Sequence, residues 1–236
     1  MAGSIHSVRF PGESEDYRSK RDALLQAELA LRDQLEAVAS LRRALPLGGR
    51  VKEDYVFEAG GTDPKDIDTV QQVRLSQLFR PGMDTLFVYS FMYSPKMERA
   101  CPSCTSILDG LDGTAPHVLQ RMNFAVVAKS PIPRIREFAL ERGWRNLRLL
   151  SSARNSFNTD YHAEAPDGGQ MPALHVFARR DGEVRHFWTS ELLYAPRNLG
   201  QDGRHVDLIW PLWNLFDATP EGRGTDWHPK LSYARG

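Results

Sequence analysis

Apolar positions along this chain change rhythm near residue 50, and that change divides it. Between Ser14 and Leu45, Leu24, Leu31, Leu35, Val38, Leu41 and Leu45 recur at helical spacing among charged residues. The pattern predicts one long amphipathic helix, capped by Ser14, with Glu15 and Asp16 in its first turn and Pro46, Gly48 and Gly49 ending it. Unbroken, it spans about 45 Å. Its leucine stripe must pack on the rest of the chain or against a second copy.

From Arg50 onward, short strands and helices are expected. Tyr55-Val56-Phe57 reads as a strand, Gly60 to Asp68 as a loop, and Leu75 to Phe79 as a helical turn. Leu86 to Tyr93 and Asn123 to Ala128 are apolar without alternation, as strands covered on both faces are. A helix opening at Cys101 lies between them, predicted to bend near Gly110-Leu111-Asp112-Gly113 and resume at His117. Ile132 to Trp144 reads as an amphipathic helix and Leu147 to Leu150 as a third short strand, which makes a right-handed parallel β-α-β-α-β unit. Ser151 to Gln170 reads as a surface loop. Ala173 to Ala178 and Val184 to Trp188 flank Asp181-Gly182, a strong hairpin signal. Val206 to Phe216 is the expected closing helix, despite Pro211, and a polar tail follows.

This order of elements predicts an α/β protein of thioredoxin-like fold, a central mixed β-sheet flanked by helices, preceded by a long N-terminal helix. The expected division is a tail and helix over 1–49 and the thioredoxin-like domain over 50–236. In that fold a cis-proline before the first hairpin strand faces the active cysteines, and Pro172 stands at that place. A trans proline opening a strand is the competing expectation, since cis X–Pro bonds are uncommon.

The only two cysteines are Cys101 and Cys104, in Ala100-Cys101-Pro102-Ser103-Cys104, directly after the most apolar strand. A cysteine at a helix N-cap sits among unpaired N–H groups and the positive end of the macrodipole, which favour its thiolate. Pro102 suits the first helical position, Ser103 completes the turn, and Cys104 follows at resolving distance. Cys101 is therefore the expected nucleophile. Lys96 and Arg99 would lower its pKa further, whereas Glu98 would oppose them unless it accepts a proton.

The 236 residues carry 30 Lys and Arg against 30 Asp and Glu. Zero net charge gives no long-range attraction to nucleic acid or anionic membrane. No run of about 18 apolar residues exists, and residues 1–21 lack the apolar core of a secretion signal. A cytoplasmic location is expected, where a CxxC pair is more readily catalytic or metal-binding than structural. A zinc or copper site would need further ligands, and His175 is the candidate to join Cys101 and Cys104. No nucleophile-elbow or Walker motif occurs.

The stretch Lys52 to Glu58, the strand Val88 to Tyr93, Cys101-Pro102-Ser103-Cys104 and the long helix before them resemble a bacterial thioredoxin-like family catalogued as domain of unknown function eight-nine-nine. Trp210 to Leu215, Thr219 to Gly224 and Trp227 resemble one branch of it. The resemblance implies the fold and supplies no activity. The lengthened loop before Cys101 and the Leu75 to Leu78 turn resemble peroxiredoxins, but Glu98 stands where those proteins carry threonine. Thioredoxin itself has tryptophan before the first cysteine and proline before the second, where this chain has Ala100 and Ser103.

The expected function is a thiol–disulfide oxidoreductase or peroxiredoxin-like enzyme without a cofactor, acting on protein thiols and disulfides or on a small reductant, with the N-terminal helix available to form a homodimer. The alternatives are a non-catalytic binding or dimerisation module on the same fold, and a metal-binding protein using Cys101, Cys104 and His175.

Overall fold

Seven strands, β1 (Val56–Ala59), β2 (Gln71–Arg74), β3 (Thr85–Phe91), β4 (Asn123–Ala128), β5 (Leu149–Ser151), β6 (Ala173–Arg180) and β7 (Glu183–Thr189), form one sheet. The computed structural model describes residues 5–234. The strand order is β2-β1-β5-β4-β3-β6-β7. β3, β4 and β5 are parallel, and β1, β2, β6 and β7 each pair antiparallel. The run β4-β3-β6-β7, two parallel strands beside an antiparallel hairpin, is the thioredoxin-like arrangement. Among the described residues no helix is long and apolar enough to cross a membrane.

The chain divides into two units, the second starting at Leu47. The first is dominated by α1 (Glu15–Arg43), a helix of 29 residues. Ser14 caps it, accepting the Tyr17 N–H at 3.2 Å, and Glu15 and Asp16 against Arg42 and Arg43 oppose the macrodipole at the two ends. Arg18 is buried and paired with Asp22 at 3.0 Å and Glu13 at 3.6 Å. Leu24, Leu31, Leu35 and Leu41 stand exposed.

In the second unit, the period-2 alternation of the strands sorts the core into two halves. Phe87, Tyr89 and Phe91 of β3 face α2 (Pro102–Val118) and α3 (Ile132–Arg142), sharing a cluster with Cys104, Ile107, Leu108 and Ile135. Leu86 and Val88 face the other way, toward Phe57, Leu75, Phe157 and Phe177. Asp181 and Gly182, at φ 53° and 77°, make the tight hairpin turn between β6 and β7.

Four local expectations are corrected. α2 does not bend at its glycines but runs unbroken through Gly110, Gly113 and Pro116. Pro116 cannot donate to the carbonyl of Asp112, and the Asn146 side-chain amide supplies that donor at 3.0 Å. Asp112 in return accepts the backbone N–H groups of Arg145 and Asn146 at 2.9 and 2.7 Å, so α2 is fastened to the corner after α3. The stretch 151–170 is no surface loop: it holds α4 (Phe157–Asp160), whose Phe157 and Asn158 are buried. The closing helix α5 (Pro211–Asp217) begins at Pro211 instead of enclosing it, because proline is tolerated only in a first turn. β2 was not expected; its Gln-Gln-Val-Arg sequence shows no apolar alternation, as suits a sheet edge.

Candidate active site

β3 delivers the chain to the sheet's C-terminal edge, and the loop after it returns to open α2 at Cys101. Cys101 is the N-cap residue, with φ −60° and ψ 122°, and Pro102 is N1. Met92, one residue past β3, pins both cysteines. Its carbonyl accepts the Cys101 N–H at 3.1 Å, and its N–H points at the Cys104 sulfur. The Cys101 carbonyl accepts the Thr105 N–H and hydroxyl, each at 2.9 Å.

Both thiols are free, Cys101 half-buried and Cys104 only 1% exposed. Their environments are opposite. The thiol of Cys104 and the backbone N–H groups of Cys104 and Ser103 hydrogen-bond to Cys101 and, against the cost of partial burial, lower its pKa to about 6. Burial, and then the neighbouring Cys101, push Cys104 well above its ordinary value. At neutral pH one sulfur is an anion within reach of solvent and the other a protonated reserve beneath it.

A residue that sequence reasoning missed forms the floor of this site. Tyr89 of β3 is fully buried, and its hydroxyl lies against Cys104 with Cys101 also in electrostatic range. That buried hydroxyl has no hydrogen-bond partner within ordinary geometry. The alternation of β3 carried the signal, since odd-numbered residues of this strand face α2.

A second such residue is Arg134 of α3, which holds the loop preceding Cys101. Its guanidinium donates to the carbonyls of Ser94 (3.2 Å), Met97 (2.6 Å) and Glu98 (2.9 Å), and lies 4.4 Å from the Tyr93 ring centroid. The charged residues expected to tune Cys101, Lys96, Glu98 and Arg99, are exposed.

Pro172 stands immediately before β6, where the register of Ser90 with Ala173 carries it toward the end of β3. Among the described residues no peptide bond is cis, so the Met171–Pro172 bond is trans. His175 does not approach the cysteines. It pairs with Val88 on the opposite face of the sheet, fully buried, held by Thr189 Oγ1 at 2.8 Å and packed against Phe157 and Tyr161. Burial lowers its pKa to about 3, so it is neutral there. Cys101, Cys104 and His175 therefore do not converge, and among the described residues no three His, Cys, Asp or Glu side chains are grouped to hold a metal.

The family model described as bacterial protein of unknown function (DUF899) matches residues 7–235, so this chain belongs to that family. No curated protein matches the chain. Three solved structures illustrate its likenesses. Peroxidoxin BcpB from Mycobacterium tuberculosis is 19% identical, with 70% of this chain and 94% of that one covered at a TM-score of 0.43. A cysteine-to-serine mutant of Xanthomonas campestris Peroxiredoxin Q is 12% identical, with 73% and 97% covered at 0.46. The exposed lipoprotein thioredoxin Etrx1 from Streptococcus pneumoniae is 15% identical, with 67% and 99% covered at 0.39. The fold is assigned from the strand order of this chain, and these likenesses add no chemistry.

Proposed function

We propose that this member of the DUF899 family is a thiol–disulfide oxidoreductase in which Cys101 attacks and Cys104 resolves. The observation that carries the reading is the split between the two sulfurs, one held as a thiolate with a pKa of about 6, the other buried and protonated. A redox-inert pair has no need of that asymmetry.

In the reductive direction the Cys101 thiolate attacks one sulfur of a substrate disulfide. The substrate S–S bond breaks, and its other sulfur leaves as a thiolate that takes a proton from water. Cys104 then loses its proton and attacks the Cys101 sulfur of the mixed disulfide. The second substrate sulfur departs and a Cys101–Cys104 disulfide remains, two electrons having passed to the substrate. An external dithiol returns the pair to the reduced state. The partners are accordingly protein disulfides, protein thiols or a small thiol reductant, in a reducing compartment such as the cytoplasm.

The test is reduction of a small disulfide by catalytic amounts of protein with a dithiol in excess. Cys101→Ser is expected to abolish turnover, and Cys104→Ser, mixed with the disulfide in the absence of dithiol, to stop with one half of the substrate covalently held on Cys101. Activity that survives Cys101→Ser would defeat the reading. Self-association through α1 is a companion proposal, supported by its exposed leucines. Solution molar mass tests it: a monomeric full chain would refute it.

A further inference from the structure

A cleft of about 540 Å³ opens between α3, the corner leading into β5, and the hairpin formed by β1 and β2. Arg136, Arg145, Arg148, Gln71, Gln72 and Trp144 are among the residues that line it, and no Asp or Glu is.

Arg136 is part of the wall. Its guanidinium donates to the carbonyls of Gly61, Asp63 and Asp66, and a Cβ on Gly60 would collide with that pinned group, so glycine is required there. Asp66 is the carboxylate in its electrostatic range, and that carboxylate accepts the N–H groups of Asp68 and Thr69.

The other two guanidiniums are different. Among the described residues neither Arg145 nor Arg148 has a side-chain hydrogen bond or ion pair. Arg148 is exposed along the cleft, and partial desolvation, followed by the neighbouring cation Arg80, lowers its pKa. Asp112, whose carboxylate accepts the Arg145 backbone N–H, also accepts the Asn146 N–H and side-chain amide. Two guanidiniums that line one cleft, with no acid among its walls, leave positive charge there unmatched. Arginine forks match the paired oxygens of phosphate and carboxylate groups.

We propose that this cleft binds a small multivalent oxyanion, held by Arg148 and Arg145, with the glutamine amides of β2 beside it and Trp144 at its apolar wall. The volume suits a small-molecule ligand. The site shares no residue with the thiol pair, so it stands whatever the fate of the redox reading.

The test uses the full chain, with sodium pyrophosphate and citrate as separate probes, each against sodium chloride at equal ionic strength, followed by calorimetry and thermal melting. Saturable binding of either probe is expected, weakened at least about tenfold by Arg148→Gln. Pyrophosphate alone would assign a phosphorylated ligand, and citrate alone a carboxylated one. Without probe, Arg148→Gln should melt no lower than wild type, because the lost charge has no partner. Arg145→Gln, at an exposed position, should also weaken binding and provides the test if the first variant fails to fold. Binding of neither probe, or binding that both variants leave unchanged, would overturn the proposal.

Discussion

The thiol of Cys104 donates a hydrogen bond to the sulfur of Cys101, and this one contact is the largest influence holding Cys101 ionised near neutrality. The pair is thus a donor and an anion before any substrate arrives. Alkylation of Cys101 should rise with pH through an inflection near 6 and level off above about 7, where roughly 90% is thiolate. Cys104→Ala removes the donor and should move the inflection upward, whereas Cys104→Ser keeps a hydroxyl and should move it less. An inflection near the free value of about 8.5 in the wild type would contradict the assignment.

The same depressed pKa bears on stability. A group ionised more readily in the folded than in the unfolded chain stabilises the fold above its unfolded pKa, and that stabilisation is lost as pH falls through the folded one. For Cys101 the window runs from 9.0 down to about 6. The reduced protein should therefore melt higher at pH 8.5 than at pH 6 by a margin that Cys101→Ser lacks. Cys104, raised by burial, acts in the other sense and only above pH 9. Equal melting profiles for wild type and Cys101→Ser would rule the linkage out.

Tyr89 is predicted to act on the second half of the reaction. Its hydroxyl lies against Cys104 and eases ionisation of that thiol against strong burial. Tyr89→Phe should leave the alkylation profile of Cys101 nearly unchanged and slow resolution of a preformed mixed disulfide several-fold, as measured by release of the bound thiol. Equal slowing of both steps would indicate a merely structural role.

Much of this architecture was legible in the chain. β3 and β4 are continuous apolar runs, Asp181-Gly182 marks the hairpin, and the N-cap place of Cys101 follows from Pro102 at N1. The unbroken α2 was not legible, because the donor that replaces the missing Pro116 N–H comes from Asn146, in the corner after another helix. Nor was α4, since Phe157 enters the core from a polar stretch with no periodicity. The separation of His175 from the cysteines was in principle readable. Leu174 and Val176 face α2, and the parity of a strand then sends His175 the other way.

The link between Asn146 and Asp112 can be measured by itself. Asn146→Ala leaves a helix carbonyl without its donor and should cost about 1 kcal/mol. In a Pro116→Ala background the backbone N–H is restored, and the same substitution should cost less. Additive losses in urea unfolding would show that the amide does not stand in for the missing donor.

Arg134 should govern the order of the loop before Cys101. Arg134→Ala removes the charge-assisted hydrogen bonds to the Ser94, Met97 and Glu98 carbonyls among others, and a cation–π contact, an expected loss of about 2–3 kcal/mol. Hydrogen exchange should accelerate at Met97 to Arg99, and unchanged protection there would contradict the assigned role.

The central claim is that Cys101 and Cys104 exchange two electrons as a pair. It is tested most directly by equilibrating the protein against graded thiol–disulfide buffers and counting free thiols. A reversible two-electron transition is expected between roughly −120 and −270 mV, absent from both Cys101→Ser and Cys104→Ser. Failure to form an intramolecular disulfide at any poise would contradict it.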